Sequence, residues 1–167
     1  MRKSTAQKNQ DIAYELSNNL VRLLIEFSKD FERRTLALLQ QRGHPQIRPS
    51  HSMLFSNLGL GAVRVTELAE RAQVTQQAMG KMLKEVERMG YIERGIDQSD
   101  KRAKEIRLTK QGVKLARDSM HIVDEVRLYY AEKVGVEALD ELERNLRDAV
   151  DKIGLEYLPE SWVAPDT

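Results

Sequence analysis

The side chains best suited to chemistry in this chain lie between residues 75 and 104, and what they can do is bind rather than react. In any α-helix built on residues 76–88, Gln76, Gln77, Gly80, Lys81, Lys84 and Arg88 share one side, and Met79, Met82, Leu83 and Val86 share the other. A glutamine amide can donate to and accept from an adenine edge. A lysine ammonium can reach a guanine acceptor or a phosphate, and a hydroxyl such as that of Thr75 can bond a phosphate oxygen. A second cationic group follows in Asp97-Gln98-Ser99-Asp100-Lys101-Arg102-Ala103-Lys104. Lys101, Arg102 and Lys104 suit phosphates or a narrow, electronegative groove, and Asp100 can steady Arg102 through a charge-assisted hydrogen bond.

Reactive constellations are not evident. The sequence has no Gly-rich phosphate loop, no paired-carboxylate motif and no nucleophile elbow, and Ser52 beside His51 is adjacency only. With no cysteine, thiolate metal sites, disulfides and thiol redox chemistry are excluded. His44, His51 and His121 are not spaced as metal ligands. We therefore expect no enzyme, no metal and no cofactor.

These side chains need a frame. Val65, Leu68, Ala69 and Ala72 follow a helical period, with Thr66 the expected N-cap. Gln73-Val74 makes a turn, Thr75 caps the next helix, and Gly90 stops it. Tyr91–Arg94 and Glu105–Leu108 alternate as two strands of a hairpin. Helix, turn, polar-faced helix and charged hairpin are the parts of a winged helix-turn-helix. Gly80 is out of place in a helix, where glycine costs about 1 kcal/mol relative to alanine. Either it lets the helix backbone come close to a base or a phosphate, or a second helix packs tightly there; its place on the polar side favours the first.

The flanks are helical. Ile12, Leu16, Leu20, Leu23, Phe27 and Phe31 recur at helical spacing without a proline, which predicts one long helix from about Asn9 to Arg42 that ends at Gly43-His44-Pro45. A shorter helix from Pro49-Ser50 is expected to bury Met53, Leu54 and Leu58 and to stop at Gly59 and Gly61. Beyond the hairpin, Thr109 caps a helix to about Val134 with Ile122, Val123, Val126, Tyr129 and Tyr130 on its apolar side. After Gly135 a last helix to about Tyr157 carries Leu139, Leu142, Leu146, Val150 and Ile153 in one stripe. Helices of this length outreach a small core, so their stripes are expected to pack against a second subunit.

Of 167 residues, 41% are hydrophobic and 32% charged, and the net charge is only +1. That balance hides a division: residues 1–114 hold 21 Lys/Arg against 13 Asp/Glu, while residues 115–167 hold 6 against 13. A basic front suits a polyanion partner. The polar residues after Met1-Arg2-Lys3 predict no secretory leader, and no apolar run is long enough to span a membrane. A cytoplasmic, nucleoid-associated protein is expected, with no membrane partner.

The stretch TELAERAQVTQQAMGKMLKEVERMGYIER, followed by DQSDKRAKEIRLTKQG, resembles the DNA-binding core of the MarR family of bacterial transcription regulators. The closing run D-x-x-D-K-R-x-K…L-T-x-x-G is its more specific half. The resemblance implies a mainly α fold in which long terminal helices form a dimerisation region around a winged helix with a two- or three-stranded antiparallel sheet. Residues 1–167 would be one domain, with a DNA-binding lobe over 50–112 and dimer helices over 8–45 and 113–158. The implied function is a ligand-responsive repressor that binds a pseudo-palindromic operator on double-stranded DNA as a homodimer. The resemblance makes Gln76, Gln77, Gly80 and Lys81 the major-groove contacts, with Lys84 nearby, and Arg102 the wing-tip minor-groove residue; Thr75, Lys101 and Lys104 complete the expected DNA-binding set. Gly80 and Lys81 depart from the family, where Ser or Thr and Arg are common, and losing the guanidinium fork weakens the case for bidentate guanine reading. A small aromatic effector is implied near His51 and Phe55. A non-specific architectural DNA binder and a protein–protein contact module remain the alternatives.

Overall fold

The computed structural model describes residues 4–59, 61–96 and 104–155. In order they form α1 (Thr5–Asn18), α2 (Leu20–Gln41), α3 (Pro49–Leu58), β1 (Val63–Arg64), α4 (Val65–Arg71), α5 (Gln76–Arg88), β2 (Ile92–Ile96), β3 (Lys104–Leu108), α6 (Lys110–Val134) and α7 (Val136–Ile153). The sheet runs β1-β3-β2 and is antiparallel throughout. It is the mainly α winged helix expected from the sequence, with a three-stranded sheet. Among the described residues no helix is long and apolar enough to cross a membrane.

One hydrophobic core holds the winged part together. Leu54 and Leu58 of α3, Leu68 of α4, Met79, Leu83 and Val86 of α5, Ile92 and Ile106 of the sheet, and Leu115 of α6 are all buried in it. The strands supply alternate residues, as a half-covered sheet must. Val63 pairs with Ile106, and both face inward.

Several boundaries differ from those the sequence predicts. The long first helix is two helices, because Asn19 leaves the helical region at φ −79°, ψ 160°. Its Oδ1 accepts from the Arg22 N–H at 2.9 Å, and its Nδ2 donates to the carbonyls of Glu15 and Leu16 at 3.2 and 3.0 Å. One side chain thus closes α1 and caps α2. No proline or glycine signals this break; it comes from the competition of a Ser-Asn-Asn run for backbone groups. Thr66 is not an N-cap: β1 continues to Arg64, which holds the cap position, and α4 starts at Val65. Met53 is 41% exposed rather than buried, because α3 turns His51, Leu54 and Leu58 inward. Val123 is likewise 41% exposed. The last helix ends at Ile153, where Gly154 takes the left-handed conformation, and not near Tyr157.

The stripes on the terminal helices remain open in the single chain. Leu16, Leu20, Leu23 and Phe27 are exposed on α1 and α2, as are Leu142, Leu146, Val150 and Ile153 on α7; in α7 only Leu139 is buried.

A polar cluster ties α2 to α6. The Tyr130 hydroxyl donates to Asp30 at 2.5 Å, Arg34 Nε donates to the same carboxylate at 2.7 Å, and Arg33 also pairs with it. The Arg34 guanidinium lies 4.0 Å from the centre of the Tyr129 ring. The Tyr130 hydrogen bond and the two arginines hold the Asp30 carboxyl far below the ordinary carboxylate range. A carboxyl depressed on folding stabilises the fold above its unfolded value and loses that contribution as pH falls below it. We therefore expect the urea midpoint to fall more steeply in wild type than in Asp30→Asn once the pH drops below about 4. Parallel pH profiles would refute the assignment.

Candidate nucleic-acid interface

Helix α5 is set by its own sequence. Thr75 Oγ1 accepts from the Ala78 N–H at 3.1 Å, and thus caps α5 as its position predicts. Met79, Leu83 and Val86 are fully buried, so the remaining face must turn outward. Gln76, Gln77, Lys81, Lys84 and Arg88 are exposed, and Gly80 is half-buried. Met82 lies only partly in the core, at the edge of the apolar stripe.

On that face is a cleft of about 640 Å³, lined by Thr75, Gln77, Ala78, Gly80, Lys81, Lys84 and Arg94. Among the described residues none of the lining side chains is acidic. The cleft therefore brings five of the expected contact residues together: Thr75, Gln77, Gly80, Lys81 and Lys84. Gln76 is exposed on the same helix but does not line the cleft.

Arg94 is the residue that sequence reading missed. It lies on β2, two residues after the buried Ile92, so strand alternation puts both on the sheet face that packs against α5. That parity was the available signal. Arg94 Nε donates to Glu87 Oε2 at 2.8 Å, which ties β2 to α5. Its Nη2 is buried without a hydrogen-bond partner among the described residues.

Gly80 meets no neighbour: a Cβ built there has nothing within 4 Å. Tight helix packing therefore does not account for it. Gly80→Ala is expected to stabilise the free protein by about 1 kcal/mol, through helix propensity. It is also expected to weaken DNA binding, because the methyl group would project into the cleft. Thermal melts and a binding titration test the two halves; stabilisation with unchanged binding would leave Gly80 no role at this surface.

The wing is described only at its base, where Ile96 pairs with Lys104. The Lys104 backbone lies in β3, while its side chain, Lys101 and Arg102 lie outside the described residues, as does the Asp100–Arg102 pairing. His51 and Phe55 do not line the cleft. His51 is fully buried, its Nδ1 accepting from the Arg48 N–H at 3.2 Å, and Nε2 stands 3.6 Å from Glu85 on α5. Phe55 is half-buried with its ring edge-on to Tyr91 at 6.1 Å. A ligand reaching either would have to open packed contacts of α3.

Residues 49–104, from α3 to the first residue of β3, match the model of the MarR family. No curated protein sequence matches the chain. Among solved structures, wild-type apo MarR from E. coli superposes with a TM-score of 0.66 at 20% identity, over 79% of this chain and 97% of that one. MepR, a transcription regulator of the Staphylococcus aureus multidrug efflux pump MepA, gives 0.62 at 21%, over 81% and 98%. The YusO protein from Bacillus subtilis gives 0.57 at 20%, over 89% and 99%. These likenesses establish the fold, and the family match falls on the segment that builds the cleft. The chain thus has the winged-helix fold of these structures, and within it residues 49–104 match the MarR family.

Proposed function

We propose that this protein is a sequence-specific DNA-binding transcription regulator, a cytoplasmic repressor that acts as a homodimer on a pseudo-palindromic operator. The observation that carries this reading is the cleft: glutamine, two lysines and an arginine line it, no carboxylate among the described residues does, and a glycine keeps it open. Glutamine amides and lysine ammonium groups match base edges and phosphates, and an acid-free lining suits a polyanion. A MepR mutant has been solved bound to an oligodeoxyribonucleotide; that structure superposes on this chain with a TM-score of 0.55 at 22% identity, over 81% of this chain and 98% of that one. The dimer is supported by the open apolar stripes of α2 and α7, which a single chain leaves in water. Response to a small aromatic effector is part of the proposal and rests on the family resemblance.

The test is a gel shift against genomic fragments with competitor DNA. Selective retention of a few fragments supports the regulator. Uniform retention indicates an architectural binder, and no retention a protein-contact module. The wing is tested by Arg102→Ala, which should weaken all duplexes alike and reduce the slope of log affinity against log salt by about 1. An unchanged slope would remove Arg102 from the interface.

A further inference from the structure

Among the described residues the chain passes between the winged part and the terminal helices at two places: along α6, which starts at the hairpin, and through residues 42–48 between α2 and α3. His44 sits in the second and is buried at 2% exposure. Its Nδ1 lies 3.0 Å from the Tyr91 hydroxyl and its Nε2 lies 2.8 Å from Asp118 Oδ2. Asp118 is on α6 and also accepts from Lys114 Nζ at 2.5 Å. Lys114 and His44 both hold the Asp118 carboxyl below its ordinary range, so it is an acceptor. The Asp118 carboxylate thus accepts from the Nε2–H of His44, and Nδ1 shares the second hydrogen bond with the Tyr91 hydroxyl.

Tyr91 is itself fixed to the recognition helix. It follows α5 through Gly90, its N–H donates to the Val86 carbonyl at 3.3 Å, and its carbonyl accepts from the Thr109 N–H at 3.1 Å. A hydrogen-bonded chain thus joins the end of α5, the α2–α3 connection and the third turn of α6. Apolar contacts resist separation but tolerate sliding, whereas buried directional hydrogen bonds hold one relative orientation. This site shares no residue with the cleft, and no role in DNA contact accounts for it.

We propose that His44, acting through Tyr91 and Asp118, is a positioning residue that fixes the angle of the winged part against α6, and thereby the half-site spacing that the dimer accepts. The proposal rests on the dimeric DNA-binding reading above. One base pair inserted between half-sites turns the second by about 34–36° and moves it about 3.4 Å, so a rigidly held dimer discriminates spacing sharply.

The experiment uses the full chain and a duplex selected by wild type from a random pool. Spacers of minus two to plus two base pairs are then placed between its half-sites. Wild type is expected to lose roughly tenfold or more in affinity per base pair of change. His44→Leu and Tyr91→Phe are expected to flatten that profile to about threefold or less, with affinity for an isolated half-site unchanged. Circular dichroism and mass by light scattering verify fold and assembly, and Tyr91→Phe, which removes a single hydroxyl, carries the test if His44→Leu does not fold. Folded variants with the wild-type profile would overturn the proposal, as would equal losses on half-site and full site. A flat wild-type profile overturns it while leaving the DNA-binding reading intact. Absence of any wild-type DNA binding overturns both.

Discussion

Gly112→Ala is expected to destabilise the protein by about 3 kcal/mol or more, against the sign that helix propensity gives. Gly112 lies in the first turn of α6, and alanine in a helix ordinarily gains about 1 kcal/mol over glycine. Here an added Cβ would stand 2.0 Å from the Tyr91 carbonyl oxygen and 3.0 Å from Leu108 Cδ2. The nearest atom is backbone, and that carbonyl already accepts from the Thr109 N–H. No rotamer relieves the clash, so α6 must shift from the sheet and disturb the Thr109 cap, whose Oγ1 accepts from the Gly112 N–H and donates to the Gly90 carbonyl. For a chain of this size the loss corresponds to a melting temperature lower by roughly 6–12 °C. Urea denaturation of Gly112→Ala beside Gly80→Ala decides the matter. The two glycines should give opposite signs, and a stabilised Gly112→Ala would show that the Tyr91 carbonyl does not hold α6 at this distance.

Lys81→Glu should reduce affinity for the selected operator about a hundredfold or more. Lys81 is exposed and lines the cleft with Lys84 and Arg94. On the proposed reading the substitution removes one cation facing DNA and places a like charge opposite phosphate, a juxtaposition that costs several kcal/mol. Its fold should be unaffected, because the side chain points away from Met79, Leu83 and Val86. Lys152→Glu, which makes the same charge change on α7, should alter binding by no more than about threefold at physiological salt, since separated surface charges are screened. Fluorescence anisotropy at several salt concentrations measures both. Equal losses from the two variants would mean that net charge, and not the cleft, governs binding. The milder Lys81→Ala separates base reading from phosphate contact: specific and random duplexes should weaken unequally if Lys81 touches a base.

The winged helix was legible in the sequence because its signals are local. A threonine three residues before an amide it can accept from, an apolar residue every third or fourth position, and a glycine at the helix end act within one turn of chain. Thr75, Thr109, Gly90 and Gly135 mark their boundaries in the structure as they do in the sequence. The same locality explains the failure at Asn19, where side-chain amides compete for backbone groups in a helix that shows no breaker. The contact face was half legible. Periodicity placed Gln77, Gly80, Lys81 and Lys84 outward, but only strand pairing brought Arg94 beside them from another element.

What the sequence determined by itself is therefore the type of each element, its caps, and which of its faces is polar. Tertiary structure decided which faces become covered and which distant residues meet. The stripe of α7 reads like a core stripe, yet the single chain buries only Leu139 of it. Gly112 looks like a weak point in a helix until the Tyr91 carbonyl arrives beside it. His44 and Asp118 have no shared pattern in sequence, and their hydrogen bond exists because α6 runs back past the α2–α3 connection. Periodicity and capping act over a few residues, whereas burial and buried hydrogen bonds depend on chain segments that only the folded path brings together.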